Sequence, residues 1–122
     1  MSIINNIIVM TRGDTLEFTP IAEALSPYAD YRLIGDDAVY FGLMDPGQYF
    51  ENALIRKKFD ATDLQSLADL LITLEPDETL DLLPGKYFYS IKLHLNHQEL
   101  ASGKYINKVV TLINKTKFIL QD

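Results

Sequence analysis

Three features of the sequence predict an all-β fold, an antiparallel sandwich or barrel of eight or nine short strands. The first is a long alternating run after Pro84-Gly85-Lys86, with Tyr87, Tyr89, Ile91, Leu93 and Leu95 on one face and Phe88, Ser90, Lys92, His94 and Asn96 on the other. Period-2 alternation of this kind belongs to a half-buried strand. The second is a set of shorter runs rich in β-branched and aromatic residues, separated by Gly, Pro and Asp punctuation. The third is the lack of any long stretch of helical periodicity.

In chain order, residues 3–10 form the first expected strand, with Asn5 and Asn6 in its middle. As a terminal strand it is expected at a sheet edge, the alternative being a handle that pairs with a neighbouring chain. Arg12-Gly13-Asp14 is a turn, and 16–19 and 31–34 are the next strands. Gly35-Asp36-Asp37 turns into a strand at 38–43, and Asp45-Pro46-Gly47 turns towards one at 53–59. Thr62 and Gln65 have capping-box spacing, and Leu64, Leu67 and Leu71 share a helical face, so a short helix is expected before the strand at 70–74. After Pro76, the acidic start of residues 77–82 suits a helix N-terminus or a type I turn. Pro84-Gly85 introduces the long strand, because Pro presets φ and Gly accepts the positive φ that follows. Ser102-Gly103 separates it from strands at 106–113 and 117–120, the second of them another terminal edge. There is no internal repeat and no linker composition, so residues 1–122 are expected to be a single domain.

Composition narrows the function classes. There is no Cys and no Trp, which excludes a disulfide framework and a thiolate zinc site. Without the buried disulfide and tryptophan of antibody-type domains, a sandwich must be held by aliphatic and Tyr/Phe packing. The start lacks the basic region and cleavage site of a signal peptide, and no apolar run is long enough to span a membrane, so a soluble protein made in the cytoplasm is expected. The net charge of −6 argues against a nucleic-acid partner. That charge is divided: residues 1–85 carry 5 basic and 15 acidic side chains, whereas residues 86–122 carry 6 Lys with only Glu99 and Asp122. Adjacent acidic and basic strands cancelling within one fold is the ordinary explanation; copies meeting head to tail through complementary faces is the functional one.

Candidate chemistry is sparse. His94 and His97 are three apart, which on a strand sends them to opposite faces, so they are expected as surface residues and not as metal ligands. Asp36-Asp37 and Asp77-Glu78 lie in turn sequence and lack calcium-loop spacing. Only separation in space would reveal a glycosidase-type carboxylate pair. Ser2, Ser26, Ser66, Ser90 and Ser102 have no nucleophile motif around them, and the six Gly residues form no phosphate loop. No catalytic residue, metal or cofactor is therefore expected, and no ligand-binding residue is identified. Arg12-Gly13-Asp14 matches an integrin tripeptide and Asn114-Lys115-Thr116 a glycosylation sequon, but a strand-joining turn and the missing secretory signal deprive both of force. Tyr40, Tyr49, Tyr87, Tyr89 and Tyr105 are either a carbohydrate or protein platform or, more commonly, strand filling.

The succession Met10-Thr11-Arg12-Gly13-Asp14-Thr15, then Gly35-Asp36-Asp37-Ala38-Val39-Tyr40-Phe41-Gly42-Leu43-Met44, resembles a family of small tailed-phage virion proteins. The segments Leu74-Glu75-Pro76-Asp77-Glu78-Thr79, Leu83 to Leu93 and Asn114-Lys115-Thr116-Lys117-Phe118 extend that likeness over nearly the whole chain. The family is similar to the N-terminal immunoglobulin-like domain of baseplate upper proteins. The resemblance implies an immunoglobulin-like antiparallel β-sandwich and a non-enzymatic structural role in the tail or baseplate. It also implies a homo-oligomer contacting other virion proteins, while the charge and the lack of a spanning run leave no nucleic-acid or membrane partner expected. The sequence ends at Asp122, where the longer family members carry an appendage region, so a standalone accessory protein is the expectation. Gly13, Gly35, Gly85 and residues 87–93 match motif positions that serve the fold. The alternatives are a capsid head-decoration or head-fibre protein, a carbohydrate-binding adhesion module and, as a minor option, a glycan-cleaving enzyme.

Overall fold

The computed structural model describes residues 2–4, 6–99 and 105–122, with side chains for 6–21, 23–95 and 108–122. Among the described residues are eight strands: β1 (Ser2–Ile4), β2 (Ile7–Thr11), β3 (Leu16–Phe18), β4 (Ala38–Met44), β5 (Ile55–Asp60), β6 (Ile72–Leu74), β7 (Gly85–Glu99) and β8 (Tyr105–Gln121). Two short helices, α1 (Ala22–Leu25) and α2 (Pro76–Leu80), and two 3-10 turns, Phe50–Asn52 and Leu67–Asp69, complete the structure. The fold is all-β and sandwich-like. A six-stranded sheet in the order β1-β2-β8-β7-β4-β5 faces a second layer built on the β3-β6 pair.

Every strand pair is antiparallel except β2 with β8, where Ile8 stands beside Phe118 and Thr11 beside Gln121. The parallel pair arises because the first expected strand is broken. Asn6 takes φ 67°, a left-handed conformation that Asn tolerates, and folds β1 back on β2. In the opposite sense, the runs at 106–113 and 117–120 are one strand. It is kinked at Lys115, with φ 36°, whose N–H donates to Ser90 Oγ at 2.9 Å. Residues 31–34 are not a strand. They make one bridge, Arg32 with Ser66, because Gly35 ends the extended run before a ladder can form. The short helix expected after Thr62 shrinks to the 3-10 turn at Leu67, since Thr62 instead donates from N and Oγ1 to Asp60 Oδ1. The acidic segment after Pro76 is helical, with Glu75 and Glu78 forming a reciprocal capping box. The turn at Ser102-Gly103 lies outside the described residues.

Alternation on β7 places Tyr87, Tyr89, Ile91, Leu93 and Leu95 in the core, with Phe41 and Leu43 of β4 and Phe118 and Leu120 of β8. The second layer supplies Leu16, Phe18, Leu25, Leu33, Leu64, Leu67, Leu70, Ile72 and Leu74 to the same cluster. Phe18 ties the layers together, its ring lying edge-on to Phe41 at 6.2 Å and to Tyr89 at 5.8 Å. The polar ends of the buried tyrosines are satisfied by backbone. Tyr89 Oη donates to the Asn6 carbonyl, and Tyr87 Oη donates to the Leu83 carbonyl at 2.5 Å, closing the corner from which β7 starts.

Candidate functional site

The second layer covers one face of the large sheet; the opposite, open face has no layer of strands over it, although Ala38, Gly42, Met44 and Ser90 on it are buried and the Phe50 turn packs at its centre. Cross-strand register defines the open face: Ala38 beside His94, Tyr40 beside Lys92, Gly42 beside Ser90 and Met44 beside Phe88 on β4 and β7. Arg56 and Lys58 of β5 stand beside Gly42 and Tyr40, while Lys117, Ile119 and Thr111 of β8 stand beside Phe88, Lys86 and Lys92. Five cations, Arg56, Lys58, Lys86, Lys92 and Lys117, thus share one surface with Tyr40, Phe88 and His94. In the sequence these residues lie in four separate segments, and strand pairing brings them together.

One glycine shapes the centre of this face. A Cβ on Gly42 would lie 2.6 Å from Phe50 Cε2 and 2.9 Å from Cδ2, so the Phe50 ring lies against the bare backbone. Phe50 belongs to the 3-10 turn after β4 and is only 8% exposed. Cations flank it: Lys92 Nζ sits 4.8 Å and Arg56 Cζ 5.4 Å from the ring centroid, and Arg56 is also 5.3 Å from that of Tyr40. Tyr40 meets the His94 ring edge-on at 4.7 Å. Partial burial, followed by the charges of Lys92 and Arg56, lowers the His94 pKa below its usual value. Farther along, Lys86 Nζ lies 5.8 Å from the Phe88 ring. A cavity of about 240 Å³ opens between Met44, Asp45, Gly47, Gln48, Phe88 and Lys115.

Several of the other candidates have structural employment. Gly13, at φ 84°, turns the Arg-Gly-Asp segment so that its N–H donates to Thr79 Oγ1 at 3.0 Å. Arg12 donates to the Leu80 carbonyl at 2.8 Å and pairs with Asp122 at 3.0 Å. Asp37 is fully buried and accepts from Tyr31 Oη at 2.5 Å and from the Ile34 N–H at 3.2 Å. Burial, reinforced by the Asp37 carboxylate, pushes the Tyr31 phenol well above its ordinary pKa. Glu78 caps α2 and pairs with Lys57 at 2.6 Å. Its burial works against ionisation, but the Glu75 N–H and the Lys57 ammonium outweigh burial and hold its pKa low. Asn114, Lys115 and Thr116 form the kink of β8. No group of three potential metal ligands is found among the described residues.

The candidate tyrosines whose side chains are described do not form a platform. Tyr87 and Tyr89 point into the core, Tyr40 lies on the open face and Tyr49 is 70% exposed in the following loop. The side chains of Tyr105 and His97 lie outside the described residues. No family model, curated protein or solved structure matches this chain.

The open face is the site that sequence reading missed. Its signal was Gly42, an isolated glycine inside the run 38–44, which marks close approach of another group to strand backbone.

Proposed function

We propose that the chain is a non-enzymatic structural protein of a tailed-phage virion, made in the host cytoplasm and working through protein–protein contacts in the tail or baseplate region. The observation that carries this reading is the open face. Four strands wide, it presents cations and half-buried aromatic rings, of which Tyr40, Phe88 and Arg56 are residue types enriched at contact surfaces. Asp37 and Glu78, one from each acidic pair, hold a turn and a helix cap. Strand order adds support for an immunoglobulin-like sandwich: β8-β7-β4-β5 facing β3-β6 corresponds to G-F-C-C′ facing B-E of a variable-type domain.

The test is quantitative mass spectrometry of purified particles, separated into heads and tails. A fixed stoichiometry in the tail fraction is expected. Recovery with heads would move the protein to the capsid, and absence from particles would refute the proposal.

A further inference from the structure

The two faces of the sandwich carry opposite charge, a division that cutting the sequence in two only half reveals. The segments that build the second layer, residues 13–37 and 61–84, contain twelve carboxylates and a single cation, Arg32, whereas the remainder has ten cations and five carboxylates. On the small sheet, Glu17 stands beside Thr73 on the side away from the core, since its neighbours Leu16 and Phe18 are buried. Leu71, 47% exposed, lies two residues before Thr73, and exposed Glu75 two residues after it, on the same side of the chain. Exposed Asp69 and Glu23 and the half-exposed Ile21 belong to the same layer. The back of the molecule is thus acidic with isolated aliphatic side chains, and the front, where five cations outnumber Asp60 beside Ala38, is on balance basic with aromatic rings.

We infer that the open face of one copy docks on the acidic second layer of another, with Arg56 and Lys92 meeting the carboxylates around Leu71. This rests on the reading of the open face as a contact surface and names its partner as a second copy of this chain. Complementary potentials on opposite sides of one molecule make the contact heterologous, so each copy added leaves a fresh front and a fresh back, and the assembly closes as a ring or grows as a stack. Four strands about 4.8 Å apart and about seven residues long give a footprint of roughly 20 by 25 Å. That places the contact at the low end of specific interfaces. A single contact is therefore weak and sensitive to salt, and repetition supplies the strength.

Sedimentation velocity of the full chain at ionic strengths of about 0.02 and 0.5 M tests this. Concentration-dependent self-association at low salt, weakened at least about tenfold at high salt, is expected. A front variant (Arg56→Gln with Lys92→Gln) and a back variant (Glu17→Gln with Asp69→Asn) should each be monomeric while keeping the wild-type circular dichroism spectrum. Mixed, they should form a 1:1 heterodimer that grows no further, because each retains one intact surface. A wild-type chain that is monomeric at low salt overturns the inference, as does a mixture that stays monomeric. So does a monomer whose front instead binds a single-stranded oligonucleotide at 0.15 M salt, with loss on Arg56→Gln/Lys92→Gln. Particle content separates this inference from the proposed function: a chain present in particles yet monomeric in solution defeats the inference alone. A chain absent from particles yet associating as described defeats the proposed function alone.

Discussion

Replacing Gly42 with Ala isolates the packing at the centre of the open face. The new Cβ would fall 2.6 Å from the Phe50 ring and 3.3 Å from Ala53 Cβ. The first distance is too short for any carbon contact, so the ring must move off the strand. Phe50 is 8% exposed, and exposing a buried Phe costs about 1.5–3 kcal/mol. Against this, Ala at a strand interior position gains roughly 0.5–1 kcal/mol over Gly. The expected net loss is about 1–2 kcal/mol, a fall of roughly 3–10 °C in melting temperature for a domain of this size. Urea denaturation of G42A, F50A and the double variant measures it. With the ring removed only the 3.3 Å approach to Ala53 Cβ remains, so G42A should cost clearly less in the F50A background than in the wild type. An equal cost of G42A in both backgrounds would refute the claim that Phe50 is why position 42 is glycine.

Glu78→Ala removes the α2 cap and leaves Lys57 without its carboxylate, an expected loss of about 1–2 kcal/mol in urea denaturation. Because the folded Glu78 pKa is depressed, its contribution is complete above the unfolded value near 4.5 and disappears as pH falls through the folded one, so wild type and E78A should converge in acid. Tyr31→Phe deprives buried Asp37 of a donor and should cost about 1.5–3 kcal/mol. Tyr31, Tyr87 and Tyr89 have raised pKa values, chiefly through burial. Their stabilisation holds below pH 10 and is lost as pH rises through the folded values, so absorbance titration should show Tyr31 and Tyr89 ionising only with alkaline unfolding and Tyr87 ionising later than an exposed tyrosine. His94 is depressed: the folded chain keeps it neutral while the unfolded chain protonates near 6.5, so stability falls as pH drops below that value. Melting temperatures of His94→Gln should lose that part of the decline between pH 7.5 and pH 5.5.

The strands legible in the sequence are those whose pattern is set within the segment. Alternation from Tyr87 to Leu95 fixes which face is buried whatever the partner, and the Gly-Asp punctuation marks the turns. What stayed hidden depends on partners far away in the chain. Nothing local tells β2 to run parallel to β8; that follows from the reversal at Asn6 and from register with Phe118. The kink at Lys115 depends on Ser90, twenty-five residues away, accepting its N–H. Residues 31–34 have strand composition but little room for a ladder before Gly35. The open face was the least legible feature, because Arg56, Lys92 and Lys117 come to share one face only through register. Charge asymmetry was visible in outline but wrongly divided: Arg56 and Lys58 join the basic face although they lie in the acidic portion of the sequence.

The claim that the open face is the contact surface is tested most directly by lysine-reactivity footprinting of the chain in isolated particles against the free chain. Lys58, Lys86, Lys92 and Lys117 should lose reactivity together on assembly, while Lys57, already paired with Glu78 at 2.6 Å, should change little. If those four lysines remain as reactive in particles as in the free chain, the open face is not where this protein makes its contacts.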